Sequence, residues 1–408
     1  MSAAEDVLVV GAGPGGSASA ALLARRGFRV TVIDRAAFPR EKPCSEYMSP
    51  AAVRLLDDLG VLADLEAAGA HAPPGTAVTA AHGARLTGLF DRAEPRPWRP
   101  TGLALPRRVL DARLVQAARE AGATVLERTT LEELLYDGGA VAGAVVRLPD
   151  GGRRVLRARL TIGADGLRSA VARRLGPVRR GFPRRVAFVA HVAGVRGLGP
   201  TTEMHVGPRG YVGLNPLGGG VANVALVVPA ERAREARGRL DDFFFEALET
   251  LPGAAGRVDR ARVVREVLAT GPFAARAARA VADGALLVGD AADFFDPFTG
   301  EGIYAALRGA ELAAEHGGAA LRAARPGAGP IPAAALLPYR AARRRAFLGK
   351  WAVERLIGYA MCWPALFDRA VGRLGARAGM ADTLIGVTGD FVPARAVLNP
   401  AFLLRMVI

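Results

Sequence analysis

The feature that most constrains this chain is a glycine cluster, Gly11-Ala12-Gly13-Pro14-Gly15-Gly16, set directly behind the apolar run Val7-Leu8-Val9-Val10. A continuous apolar tetrad ending at glycine reads as a strand buried on both faces, as in a parallel sheet. The glycines at the first, third and sixth positions of the cluster have separate duties in a nucleotide-binding turn. The first permits the tight turn, the second lets backbone approach a pyrophosphate, and the third allows close packing of helix on strand. Alanines and leucines between Gly13 and Arg26 supply that helix, and Arg29-Val30-Thr31-Val32-Ile33 supplies the next strand. Asp34 closes the second strand, where a carboxylate accepts the hydroxyls of an adenosine ribose without a 2′-phosphate. Free N–H groups at the helix N-terminus favour a bound anion. The opening is therefore predicted to be a Rossmann-type βαβ unit that binds a dinucleotide.

The remaining chain changes character twice. Residues 36–50 form a loop rich in proline and charge, and residues 50–69 a helix pair stopped at Gly60 and Gly69. Proline and glycine break residues 73–100 into short pieces, and helical spacing returns from Arg107 to Ala121. Strands are predicted at 140–147, 154–157 and 160–162, the first two joined by a hairpin through Pro149-Asp150-Gly151-Gly152. Two-residue alternation between 184 and 228 predicts an antiparallel sheet, with strands at 186–192, 211–214 and 221–228. A helix at 241–251 and strands at 263–268 and 286–288 follow, then mostly helix from Glu301, interrupted by a Pro/Gly linker at 326–332. A chain of 408 residues exceeds one ordinary domain. Its order implies a discontinuous cofactor domain (1–75, 101–175 and 265–325), an inserted substrate domain (76–100 and 176–264), and a helical C-terminal region (326–408).

Composition excludes several classes. The net charge of +15 comes almost wholly from arginine, since Lys42 and Lys350 are the only lysines. No helix-turn-helix, zinc-finger or RNA-stacking pattern accompanies it, so no nucleic-acid partner is expected; the arginines are read as solvated faces with a preference for anionic groups. Two cysteines cannot make a disulfide framework, which points to the cytoplasm. No run of about 18 apolar residues offers a membrane span. No metal site is expected.

Two distant segments extend the dinucleotide reading. One is Gly163-Ala164-Asp165-Gly166-Leu167-Arg168-Ser169. The other is Val288-Gly289-Asp290-Ala291-Ala292, continuing to Pro297-Phe298-Thr299-Gly300-Glu301-Gly302-Ile303. With the N-terminal cluster they resemble, in order, the three motifs of the flavoprotein hydroxylase superfamily typified by para-hydroxybenzoate hydroxylase, and within it the geranylgeranyl-reductase-like branch. The resemblance implies FAD, and an α/β fold: a Rossmann-type FAD-binding domain with a parallel sheet, an inserted antiparallel-sheet substrate domain and a helical C-terminus. It implies cofactor contacts from Gly11, Gly13, Pro14, Gly15, Gly16, Asp34, Arg35, Pro297, Gly300, Gly302 and Ile303. Asp290 would accept from the ribityl hydroxyls, and the helix opened by Gly300-Glu301-Gly302 would face the flavin pyrimidine, its dipole favouring the anionic reduced ring. Arg107 would contact the FAD phosphate or ribityl chain, or else simply pair with Asp111 one helical turn on. Asp165 would touch the cofactor, or bond the amides of its own turn.

The substrate side is less patterned. Phe38-Pro39-Arg40-Glu41-Lys42-Pro43-Cys44 resembles a loop that lies beside the flavin in the geranylgeranyl-reductase branch, but Ser45-Glu46-Tyr47 stands where glycines are usual. Tyr211 to Asn215 resembles that branch's aromatic wall, with Gly213 in place of a tryptophan and Asn215 in place of a phenylalanine. Cys44, His191, Tyr211 and Asn215 are the candidate substrate-pocket residues; no catalytic residue is assigned. No second glycine fingerprint follows a later strand, so NADPH or NADH would bind without its own domain. The apolar stretch 347–367 is read as a helix covering the substrate domain, or as an entrance helix contacting a membrane surface for a hydrophobic small-molecule substrate. The missing wall aromatics tilt the expectation to a monooxygenase hydroxylating a hydrophobic aromatic or polyketide-like molecule. An ene reductase of isoprenoid lipids and an FAD-bearing electron-transfer protein are the alternatives.

Overall fold

The computed structural model describes residues 5–325 and 328–407. Strand Glu5–Val10 pairs in parallel with Val30–Ile33 on one side and with Arg153–Gly163 on the other. The parallel sheet continues to Thr124–Leu126 beyond the first and to Ala285–Leu287 beyond the second. Its two faces divide the apolar tetrad. Val7 and Val9 pack with helices Pro14–Ala24, Arg107–Glu120 and Gly302–Ala323, while Leu8 and Val10 pack with strands Thr130–Asp137 and Ala140–Arg147. Burial on both faces is what the unbroken Val7–Val10 run requires. The strand pieces expected at 154–157 and 160–162 are one strand of 11 residues. Its first half makes the expected hairpin with Ala140–Arg147 and its second half joins the parallel sheet. Arg157 interrupts the apolar pattern because it is exposed.

A second sheet of seven strands stands beside this layer, in the order Val263–Thr270, Arg185–Ala193, Val221–Pro229, Gly210–Gly218, Thr202–Gly207, Gly75–Thr79, Arg85–Leu89. The last two fall in the region that glycine and proline appeared to break up. Their glycines are sites of close approach: a Cβ on Gly75 would lie 2.1 Å from the Gly88 carbonyl oxygen, and one on Gly88 2.4 Å from Ile385. Val263–Thr270 belongs to this sheet along its full length through pairing with Arg185–Ala193, so the sheet runs past residue 264, where the inserted domain was expected to end.

Helix Leu337–Ala360 runs from the parallel-sheet core, where Tyr339 and Phe347 are buried, to the antiparallel sheet, where Ile357 packs. Pro364 starts a new helix, Pro364–Gly375, so the apolar stretch 347–367 turns at Met361–Trp363. That helix and Ala378–Thr388 cover the edge strand Arg85–Leu89. Among the described residues no helix is long and apolar enough to cross a membrane. Residues 326 and 327 of the expected linker lie outside the described residues.

Asp382 fixes this cover. Its buried carboxylate accepts the Leu89 N–H of the edge strand at 2.8 Å. Asp382→Ala leaves that amide unpaired under the helix, and is expected to lower unfolding free energy by about 1–3 kcal/mol in a urea titration.

Candidate active site

The glycine turn divides into positions that need glycine for the backbone and one that leaves space. Gly11 has φ +100°, and a Cβ there would lie 2.5 Å from the Ala164 carbonyl oxygen; at Gly16 it would lie 1.8 Å from that of Gly11. Gly13 is different. Its Cβ would meet only two guanidinium ends, Arg40 at 3.8 Å and Arg107 at 3.9 Å. Pro14 and Gly15 open the helix beside that space and, with Gly13, line a cavity. Asp34 holds the turn: Oδ2 accepts from the Ala12 N–H at 2.7 Å and Oδ1 from that of Ala36 at 2.8 Å. Each oxygen keeps a lone pair for a ribose hydroxyl. Gly11, Gly16 and Asp34 shape the turn from behind, and Arg35 is exposed; none of the four lines the cavity.

Three cations converge on the same space. Buried Arg107 donates from Nε and Nη2 to the two carboxylate oxygens of Asp111, both at 2.8 Å, while lining the cavity. The pairing anticipated one turn along the helix is therefore present, at a buried cavity wall. Burial works against its charge, but Asp111 and then Cys44 outweigh that and raise its pKa. Arg40 Nη2 lies 3.1 Å from Asp111 Oδ2. Lys42 lines the cavity without a hydrogen bond to any described residue; burial, then the Arg107 charge, lowers its pKa. Asp290, across the cavity, is raised by burial, with Lys42 the main opposing influence. Pro297, Gly300, Gly302 and Ile303 complete this lobe at the N-terminus of helix Gly302–Ala323.

Asp165 takes the second of its two expected roles. Its carboxylate accepts from Ser169 Oγ at 2.5 Å and from the Ala170 N–H at 2.6 Å, capping helix Ala170–Leu175, and the neighbours it fixes, Ala164 and Gly166, line the cavity.

The cavity continues onto the antiparallel sheet, where Cys44, Tyr211 and Asn215 line it with Val189, Met204 and Phe298. Asn215 also works as a tie, donating to the Ser45 carbonyl oxygen and accepting from Thr202 Oγ1, both at 3.0 Å. His191 lies behind the wall: its Nε2 is 2.5 Å from Glu46 Oε2. Glu46 was not singled out in the sequence. It is 0% exposed, has φ +58°, and accepts from Asn223 Nδ2 at 2.9 Å and the Arg107 N–H at 2.7 Å. Lys42, Asn223 and Tyr47 also line the cavity; none was a candidate pocket residue, although Lys42 and Tyr47 stand in the stretch whose resemblance put it beside the flavin.

The residues fit FAD. The space at Gly13 faces two guanidiniums, as a pyrophosphate requires, and Lys42 and Asp290 present unshared polar atoms further along. A glycine turn, an acid-ended strand and a second lobe walled by an antiparallel sheet define a two-lobed, dinucleotide-binding protein. The chain belongs to the FAD-binding domain family, whose model matches residues 4–326. It is 33% identical over 328 residues to the menaquinone reductase of Mycolicibacterium smegmatis, covering 77% of this chain and 76% of that one. It is 32% identical over 363 residues to the digeranylgeranylglycerophospholipid reductase of Methanospirillum hungatei, covering 86% and 83%. Among solved structures it is similar to the PqsL monooxygenase of Pseudomonas aeruginosa, with a TM-score of 0.72 and 25% identity over 90% of this chain and 98% of that one. The protein is thus an FAD-dependent oxidoreductase of the para-hydroxybenzoate hydroxylase superfamily, in its geranylgeranyl-reductase-like branch.

Gly13→Val places a branched side chain in the space facing Arg40 and Arg107. The purified variant is expected to lose FAD, read from its visible absorbance, while its circular dichroism stays that of the parent.

Proposed function

We propose that the protein is a reductase that saturates a carbon–carbon double bond of an isoprenoid-type lipid, with NADPH or NADH as electron source. The observation that carries this reading is the likeness, at 32–33% identity, to proteins named as reductases of menaquinone and of a digeranylgeranyl lipid. The objection from the missing wall aromatics weakens on the geometry. A Cβ on Gly213 would lie 3.1 Å from Met204 Sδ, so the sulfur occupies the ground beside the glycine and keeps that wall apolar. Hydroxylation of a hydrophobic aromatic is the second reading, favoured by the likeness to PqsL.

FAD, when bound, supplies the hydride equivalent; the chain's residues supply its setting. Arg40 and Arg107 would hold the pyrophosphate, and Asp290 would accept from the ribityl chain. Lys42 and the N-terminus of Gly302–Ala323 would favour negative charge on the bound ring. The sheet face with Phe273 and Phe298 excludes water from the substrate lobe. Entry of a greasy chain is supported by Trp363, 61% exposed at the helix turn, one turn before Phe367, whose ring contacts that of Phe298 on the cavity wall. A membrane surface is the source this placement suggests.

Nicotinamide oxidation with prenyl lipids and alkyl phenols, with and without air, tests the assignment. The expected product gains two hydrogens, carries no label from ¹⁸O₂ and forms equally well without oxygen. A labelled hydroxyl in the product, dependent on air, would transfer the protein to the hydroxylase reading.

A further inference from the structure

Behind the cavity wall at Gly300 and Gly302 lies a group of carboxyls around one ammonium, with Glu301 buried and the side chains of Lys350, Asp390 and Glu354 only 8–13% exposed. Glu301 sits between cavity-lining Gly300 and Gly302, is 3% exposed, and accepts from Ser49 Oγ on Oε2 at 2.9 Å. Its Oε1 is buried and meets no donor among the described residues. Asp390, at φ +62°, lies close enough to Glu301 to raise its pKa and holds Oδ2 2.7 Å from Lys350 Nζ. Glu354 Oε1 is 3.4 Å from the same ammonium, which lies 5.7 Å from the Tyr304 ring centre. Arg308 and Asp293 act on this group only from its margins.

Three carboxyls thus share one nearby cation. Ionised together they would leave two negative charges uncompensated where little water reaches, an arrangement that largely buried acids relieve by holding protons. Burial pushes Glu301 and Asp390 up, with Lys350 opposing, and pushes Glu354 to about 7. For Lys350 burial is outweighed by Asp390, Glu354 and Glu301, so the ammonium stays charged. A proton on Glu301 Oε1, shared with Asp390, gives a partner to a fully buried oxygen that otherwise has none among the described residues.

The group touches the cavity through Tyr47. Its ring lies against Gly300, whose Cβ would fall 2.8 Å from Tyr47 Cδ1, and two residues on, Ser49 bonds Glu301. The Tyr47 side chain lines the cavity, and its hydroxyl has no hydrogen-bond partner among the described residues. Burial first, then Glu301 and Asp390, hold its phenol well above the ordinary range.

We propose that Tyr47 donates the proton that completes reduction of the substrate double bond, and that the Glu301–Asp390 pair stores the proton that restores it. The proposal rests on the reductase reading. Saturating C=C needs one hydride and one proton. As hydride reaches one alkene carbon, the Tyr47 O–H bond breaks and a C–H bond forms at the other. The phenolate left beside two acids then takes the shared proton from Glu301–Asp390, and the pair is reloaded from solvent. The substrate gains two hydrogens and the side chains return to their starting state, the hydride donor being left oxidised until NADPH or NADH reduces it again.

Two measurements decide it. Infrared spectra of the FAD-loaded protein without substrate should show, at neutral pH, a carboxylic-acid carbonyl band that shifts in D₂O and disappears in both Glu301→Gln and Asp390→Asn. Absence of that band in the parent overturns the stored proton. Tyr47→Phe keeps the ring on Gly300; it should slow product formation by about 100-fold or more, the scale of general acid catalysis, with the rate of flavin reduction by NADPH and the KM unchanged. Parental turnover in that variant overturns the donor role. A parent protein that saturates no prenyl lipid would sink the reductase reading, while the infrared band would still decide the proton pair.

Discussion

The Glu46 carboxylate is the point on which the two halves of the molecule hang. It is fully buried, and a carboxylate so placed is tolerated only where donors surround it. The donors come from both sides: the Arg107 N–H opens a helix of the cofactor layer, while Asn223 and His191 belong to neighbouring strands of the antiparallel sheet. Asn223 and Asn215 also bond the carbonyl oxygens of Cys44 and Ser45. The loop between the lobes is thereby pinned along consecutive residues, and its left-handed turn at Glu46 aims Tyr47 at the cavity.

That junction lets one cavity serve two tasks. The cofactor lobe gathers Arg40, Lys42 and Arg107 around a glycine turn and leaves Asp111, Asp34 and Asp290 to keep the charges in place. The substrate lobe is a sheet face of small and apolar side chains. Most of the excess arginine in the composition has no part in this; a few buried cations do, and they act because burial strengthens their fields.

Much of the cofactor lobe was legible in the sequence. Its determinants are short-range: an apolar strand, glycines at fixed offsets and an acid at a strand end, each with a local steric or hydrogen-bonding reason. Asp165 shows the limit. Its motif was clear, but whether the carboxylate faced a ligand or its own turn depended on how Ser169 and Ala170 came round to meet it. Strands Gly75–Thr79 and Arg85–Leu89 were hidden because their glycines answer to Ile385 and to each other. His191 stood on an expected strand, but its partner Glu46 is 145 residues away in sequence.

The sequence alone determined that this chain has a dinucleotide-binding βαβ opening, an antiparallel insertion and a helical end, because hydrophobic period and glycine placement act over a few residues. Only the tertiary structure decided which polar groups would meet. Glu46 with His191 and Asn223, and Glu301 with Asp390 and Lys350, are joined by loops and sheets whose closure no local pattern encodes. A buried charge depends on neighbours in space, and folding alone brings those together.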